Sequence, residues 1–197
     1  MSVGAIIFTL LIVGSVFYVI TIYNRLVSLK NRHENAFSQI EVQLKRRYDL
    51  IPNLVETAKG YMAHERETLE AVTAARNEAA AMLKGAAATL GGDAMQQLAG
   101  AEGILQGALS KLNVVMEAYP ELKANENMMQ LSEELTTTEN RVAFARQSFN
   151  DAVTAYNEYR QSFPVNMLSN TFGHRQDASL LEFADSAEIQ QVPKISF

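Results

Sequence analysis

The sequence predicts an all-α fold, an antiparallel up-down four-helix bundle preceded by one N-terminal transmembrane helix. Three observations predict it. Residues 3–22 form an apolar run without a charged side chain. Beyond them apolar residues recur at alternating three- and four-residue steps, the period of bundled helices rather than of strands. Helix breakers gather at Pro52, Gly85–Gly92, Pro120 and Pro164, about one bundle helix apart.

Val3 to Ile22 spans 20 residues. At about 1.5 Å per residue they reach roughly 30 Å, the thickness of a hydrocarbon core. A cleaved signal peptide would show a basic leader, a shorter apolar core and a small-residue cleavage site. Instead Met1-Ser2 precedes the run and Tyr23-Asn24-Arg25 follows it. Residues 3–22 are therefore expected to be embedded in the lipid bilayer, with residues 1–2 a short end. Arg25, Lys30 and Arg32 follow the span and no basic side chain precedes it. The positive-inside rule then puts the N-terminus outside and the body in the cytoplasm.

No proline interrupts residues 1–51, so the anchor is expected to continue into the first bundle helix, with Leu26, Leu29, His33, Ala36, Ile40 and Leu44 inward. Pro52 lacks an N–H and drives Ile51 from the α region, which predicts a helix end at Leu50-Ile51. Lys45, Arg46 and Arg47 would complement the negative end of that helix, or pair with Asp49, Glu117 and Glu121. A second helix is expected over about 52–84, with Leu54, Ala58, Tyr61, Val72, Ala75 and Ala79 on one face. Gly85–Gly92 would end it, and Asp93 would cap the third. That helix carries Leu98, Ala101, Leu105, Ala108, Leu112, Val115 and Tyr119, and stops at Pro120.

The fourth helix, Leu122–Ser162, holds the most regular stripe: Met128, Leu131, Leu135, Thr138, Val142, Ala145, Phe149, Ala152, Tyr156, Tyr159 and Phe163. The bundle is thus assigned to residues 23–164. Residues 165–197 are expected to be an amphipathic segment and an acidic, mobile tail carrying Asp177, Glu182, Asp185 and Glu188. Reversals at Arg46–Asn53 and Glu117–Asn125 would meet at a membrane-distal tip roughly 36 Å beyond the bilayer. The fourth helix would then outrun the first outside the membrane, which predicts a kink at Thr136-Thr137-Thr138 or a tilted anchor.

Arg46-Arg47-Tyr48-Asp49-Leu50-Ile51-Pro52-Asn53-Leu54-Val55 resembles the signature of the bacterial LemA family. Tyr61-Met62-Ala63-His64-Glu65, Tyr119-Pro120-Glu121-Leu122-Lys123-Ala124-Asn125, Glu139-Asn140-Arg141, Ala145-Arg146, Tyr156-Asn157 and Phe163-Pro164 match its other marks in order. The resemblance covers roughly residues 20–173. It implies a membrane-anchored four-helix bundle and no particular reaction.

Function classes narrow by chemistry. With no cysteine, neither disulfides nor thiol catalysis are available. A formal charge of −5 argues against nucleic acid as a partner. His33, His64 and His174 lack the Glu-x-x-His or His-Glu-x-x-His spacing of metal helices, so no metal is assigned. No nucleophile elbow or phosphate loop is present, and Gly100, Gly103 and Gly107 fit close helix approach. No catalytic residue and no cofactor are therefore assigned. The asparagines at 31, 35, 125, 127, 140, 150 and 157 are read as hydrogen bonds that fix helix register.

These readings converge on a non-enzymatic scaffold or adaptor of the cell envelope, forming a homo-oligomer. An envelope protein would dock on a tip of Arg46, Arg47, Tyr48, Asp49, Asn53, Tyr119, Lys123 and Asn125. Arg25, Leu168 and Phe172 are expected at the membrane interface. Val192–Phe197 would suit strand-like docking or recognition by a partner. The rivals are a lateral membrane-remodelling polymer, and an enzyme or sensor whose mark would be polar groups converging inside the bundle.

Overall fold

The computed structural model describes residues 2–183. Six helices follow in order: α1 (Val3–Lys59), α2 (Arg66–Thr89), α3 (Gly92–Met116), α4 (Pro120–Lys123), α5 (Glu126–Gln161) and α6 (Val165–Leu168). The all-helical expectation holds among the described residues. The tail from residue 184 onward, with Asp185, Glu188 and Val192–Phe197, lies outside them.

The first helix does not end at Leu50-Ile51. It runs through Pro52 to Lys59, and the reversal expected at Arg46–Asn53 sits at Gly60–Glu65. Two physical reasons account for this. Ile40, Leu44, Arg47, Ile51, Leu54 and Ala58 are all buried, and their four-three spacing crosses Pro52 without a break. Burying one aliphatic side chain contributes about 1.5–3 kcal/mol. Ile51, Leu54 and Val55, all buried, together outweigh the roughly 3 kcal/mol that an interior proline costs. The second reason concerns the missing donor. An N–H at position 52 would bond the carbonyl of Tyr48; Arg76 of α2 does so instead, its Nε donating at 2.9 Å. The same guanidinium stands 3.8 Å from the Asp49 carboxylate.

Gly85 does not stop α2 either. Leu83 and Ala86 are buried, and the helix continues to Thr89. It turns at Leu90, which takes a left-handed conformation at φ +49°, followed by Gly91-Gly92. Gly91 rather than Asp93 precedes α3, and Asp93 lies in its first turn, where a carboxylate meets the positive end of the helix.

α1 and α5 run antiparallel along their length. Arg25 stacks on Tyr159 with its guanidinium 4.6 Å from the ring centre, and Phe37 meets Phe149 edge-on at 5.6 Å. At the far end Asn125 Nδ2 donates to the Tyr61 hydroxyl at 3.1 Å. α2 descends from Glu65 beside α1, and α3 returns along α2 until Tyr119 faces Glu65 at 3.5 Å. The 37 residues of α1 from Tyr23 to Lys59 match the 36 of α5. With α1 extended, the length conflict that called for a kink or a tilt disappears. α5 stays one helix through Thr136–Thr138, the Thr136 and Thr138 hydroxyls donating to carbonyls four residues back.

From residue 2 to residue 21 every side chain of the apolar run is exposed. Its 18-residue window has a mean hydropathy of 2.6 and no buried residue. Such a helix, with its backbone bonds closed internally, suits lipid.

Past α6 the chain is not the expected mobile tail, at least to Phe183. Val165 packs with Ile22, Leu26 and Tyr156, and residues 174–183 form an extended strap along α5. Two asparagines hold it by its backbone. Asn157 Nδ2 donates to the Ala178 carbonyl at 2.9 Å while its Oδ1 accepts from the Ala178 N–H at 2.8 Å. Asn150 repeats the fork on Leu181, at 3.1 and 2.9 Å. Seven helical residues rise about 10.5 Å and three extended ones about 10 Å, so the two ladders stay in register. These two asparagines fix the strap rather than a helix–helix register.

Two expectations follow. Arg76→Met should destabilise the full-length protein by about 1–3 kcal/mol, since it orphans the Tyr48 carbonyl. In a Pro52→Ala background, where residue 52 supplies the N–H, the loss should be clearly smaller in denaturant melts; equal losses would refute the replacement bond. The second expectation concerns pH. Burial lowers the imidazole of His174, whose Nδ1 lies 2.9 Å from the Tyr156 hydroxyl, and Lys30 and Arg160 push it the same way. Burial also lowers His33, whose ring centre lies 5.1 Å from that of Tyr156. A depressed imidazole keeps its full contribution above the unfolded value of 6.5 and loses it as pH falls through the folded one. Exchange of strap amides, corrected for intrinsic rates, should therefore accelerate between about pH 7.5 and about pH 5, and less so in His174→Gln.

Candidate functional site: a polar network at the α3–α5 cleft

α1 brings Arg47 and Tyr48 to the middle of the bundle, where the four-three stripe turns both inward; they are 4% and 3% exposed. α3 meets them with Glu102, 2% exposed, at a core position of its own stripe. Leu98, Glu102, Leu105, Leu109, Leu112 and Met116 are all buried in four-three spacing. Gln106 lies one turn above Glu102, and α5 adds Glu139.

The network is dense. Arg47 Nη1 donates to Glu102 Oε2 at 2.9 Å, and Nη2 to Gln106 Oε1 at 2.7 Å and Glu139 Oε1 at 3.3 Å. The Tyr48 hydroxyl donates to the other Glu102 oxygen. Burial raises the Glu102 carboxyl, against the pull of Arg47 and the Tyr48 hydroxyl. Burial and the adjacent Glu102 push the Tyr48 phenol far up, so it stays protonated. Arg47 Nε is buried with no acceptor among the described residues.

α3 and α5 stand apart here, leaving a cleft of about 320 Å³ with Arg47 on its floor. Gly103, Val142 and Ala143 line it, and Arg146 and Phe183 close one end, the Arg146 guanidinium 4.5 Å from the Phe183 ring centre. The arrangement can hold a hydrogen-bond acceptor. It is poorly set for proton abstraction, since both Glu102 oxygens are engaged and Tyr48 is held neutral. Among the described residues no three His, Asp or Glu side chains gather to hold a metal ion.

The structure divides the residues predicted for the tip. Arg47 and Tyr48 are core residues and not tip residues, because α1 continues past them. Arg46, Asp49 and Asn53 lie exposed on the flank of α1. Tyr119, Lys123 and Asn125 do sit at the distal reversal, with Tyr61 and Glu65 as neighbours. There Asn125 caps α5, its Oδ1 accepting from the Met128 N–H at 3.1 Å, and Lys123 lies 3.9 Å from Glu117. The charged cluster does not complement a helix end: Lys45 pairs with Glu41 and Arg47 with Glu102 and Glu139.

At the opposite end Phe172 meets Tyr23 edge-on at 5.3 Å, and Leu168 packs on the Ile22–Leu26 cluster. Phe163 and Met167 are left largely exposed there. Sequence reasoning missed Glu102, Gln106 and Arg76. A carboxylate in phase with Leu98, Leu105 and Leu112 was the available signal for Glu102. Nothing local marks Arg76, whose role depends on a proline 24 positions earlier.

The stretches carrying the family resemblance thus meet in pairs, Tyr61–Glu65 with Tyr119–Asn125 and Arg47-Tyr48 with Glu139. Comparison with known proteins agrees: the family model described as the LemA family matches residues 36–197. This chain belongs to the LemA family.

Among its relatives is a protein named LemA from Metamycoplasma hominis, 25% identical over 189 residues, covering 95% of this chain and 80% of that one. The chain is also 26% identical over 173 residues to magnetosome protein MamQ 1 of Paramagnetospirillum magneticum, covering 78% of itself and 62% of that relative. Magnetosome protein MamQ of Magnetospirillum gryphiswaldense matches at 26% over 170 residues, with the same coverage. The LemA-family chain thus spans under two thirds of those magnetosome proteins. Family, relatives and the apolar first third of α1 fit a membrane-associated protein of the envelope.

The network yields a stability prediction. Arg47→Met should cost about 3–5 kcal/mol, because it strands the buried Glu102 carboxylate. Adding Glu102→Leu should restore part of that loss in denaturant melts. A double variant less stable than Arg47→Met alone would contradict the pairing.

Proposed function

We propose that this LemA-family protein is a non-enzymatic scaffold or adaptor of the bacterial inner membrane. In this reading residues 3–22 anchor it, the bundle lies in the cytoplasm and copies associate with one another. The observation that carries the reading is the continuity of α1. One unbroken helix joins the apolar run to the distal reversal, so the tip is held about 55 Å from the end of the span rather than on a flexible tether.

Tyr61, Tyr119 and Lys123 form the surface offered there to an envelope protein, with Arg46, Asp49 and Asn53 on the flank below. Self-association is supported by Val42 and Phe144, 61% and 72% exposed on the α1–α5 face. Every copy anchored by the same helix presents them at the same height. The basic residues after the span, Arg25, Lys30 and Arg32, support the cytoplasmic placement.

A second reading has its own observation. Polar groups do converge inside the bundle, at Arg47, Tyr48, Glu102 and Glu139, and they open onto a cleft. A sensor using that cleft is the alternative, and catalysis is disfavoured by the engaged Glu102 and neutral Tyr48.

One variant reads side and assembly together. The chain has no cysteine, so Ser110→Cys on the exposed face of α3 provides a single thiol. In intact cells it should resist an impermeant thiol reagent, and labelling would reverse the orientation. Extracted in native lipid particles, the protein should run as a uniform species of several copies. A monomer would end the self-association reading, and an open ladder of masses would favour a lateral polymer.

A further inference from the structure

The height of the turn that carries α6 is set twice over. Val165 packs with Ile22, the last residue of the apolar run, and Phe172 meets Tyr23, the first residue past it. Along α5, Tyr159 lies level with Arg25. Phe163, four residues further, comes about 6 Å lower, near Thr21. With residues 3–22 in the bilayer, as proposed above, both measures put the Phe163–Phe172 turn where hydrocarbon gives way to headgroups.

The turn has two sides. Val165 is buried, and Leu168 and Phe172 pack against the Ile22–Leu26 cluster. Phe163 and Met167 stay out, 80% and 70% exposed. Phe163 is the most exposed large apolar side chain among the described residues. A phenyl ring and a thioether left uncovered four residues apart mark a contact surface.

Charge says what the surface meets. The chain has a net charge of −5, yet residues 1–33 and 161–176 contain no Asp or Glu. They carry Arg25, Lys30, Arg32 and Arg175, all exposed. The acids just beyond are already matched, Asp177 by Arg160 at 2.6 Å and Glu34 by Lys30 at 3.8 Å. An apolar pair rimmed by cations is the chemistry that meets anionic headgroups and the upper acyl chains together.

We propose that Phe163 and Met167 seat this turn in the lipid–water boundary of the bilayer that α1 spans, with Arg25 and Arg175 among the headgroup phosphates. The seat rests on the anchor reading and adds a second lipid contact beside the span. The span alone leaves the direction of lean open; the seated turn sets it toward α6.

The chain has no tryptophan, so single tryptophans report depth in the full-length protein. Four exposed positions serve: Phe17→Trp in the span, Phe163→Trp and Met167→Trp at the turn, and Phe144→Trp on the α1–α5 face. Phe144 shares a groove with Val42, about 30 Å above Ile22. The vesicles contain about three parts phosphatidylcholine to one part phosphatidylglycerol, with or without brominated acyl chains. Bromine should quench Phe163→Trp and Met167→Trp at least about twofold, quench Phe17→Trp, and leave Phe144→Trp unchanged. If the two turn variants behave like Phe144→Trp while Phe17→Trp is quenched, the seat is overturned and the anchor stands. An unquenched Phe17→Trp would overturn both. Blue-shifted emission from the turn variants without bromine quenching would overturn the seat too, by giving Phe163 and Met167 to a protein contact such as a second copy.

Discussion

The architecture depends on the passage of α1 through Pro52, which the burial of Ile51, Leu54 and Val55 drives and one hydrogen bond from an unusual donor completes. A proline about two turns before the end of a 57-residue helix leaves the Tyr48 carbonyl without its normal partner. The Arg76 guanidinium fills the vacancy from the neighbouring helix. With that carbonyl satisfied and Leu54 and Val55 buried, the core stripe on α1 does not stop at Ile51. The reversal moves to Gly60, α1 and α5 become equal in length outside the apolar span, and the distal end consists of Tyr61–Glu65 against Tyr119–Asn125. The same bond ties α2 to α1 at the level where the buried polar network begins.

That network performs a different task. A bundle core made only of leucine and alanine tolerates sliding by a heptad, because every layer resembles the next. Arg47 reaching Glu102, Gln106 and Glu139 at once defines one layer that matches no other. It sets α1, α3 and α5 in one mutual register. Burial makes it costly to satisfy these groups anywhere else.

Much of this was legible in the sequence where a single helix carries its own signal. The apolar run, the third stripe and the α5 stripe from Met128 to Tyr159 all appear where the periodicity places them. Phe163, the last member of that stripe, is exposed because the helix ends at Gln161. The errors came where a local rule met a long-range one. Pro52 reads as a boundary until the in-phase burial of Ile51, Leu54 and Ala58 is weighed with Arg76. Gly85 reads as a stop until Leu83 and Ala86 are counted as core. Arg47 and Tyr48 read as a docking tip because a charged and an aromatic residue beside a proline look like a turn. Glu102 is hidden by its neighbour Ala101, which is buried too and fits the same stripe. Asn150 and Asn157 were recognised as structural, but their partner is an extended chain, which carries no period for a sequence reading to detect.

With residues 3–22 spanning the bilayer, as proposed above, the continuity of α1 also makes the molecule a lever. Membrane-spanning helices commonly lie about 20° from the bilayer normal, and that angle follows the thickness of the surrounding lipid. On an arm of roughly 55 Å, such a tilt carries the distal end about 19 Å sideways while lowering it only about 3 Å. A thinner bilayer would thus widen the circle that the end of the bundle sweeps, at nearly constant height above the lipid. A protein joined to its anchor by a flexible linker would not respond in this way.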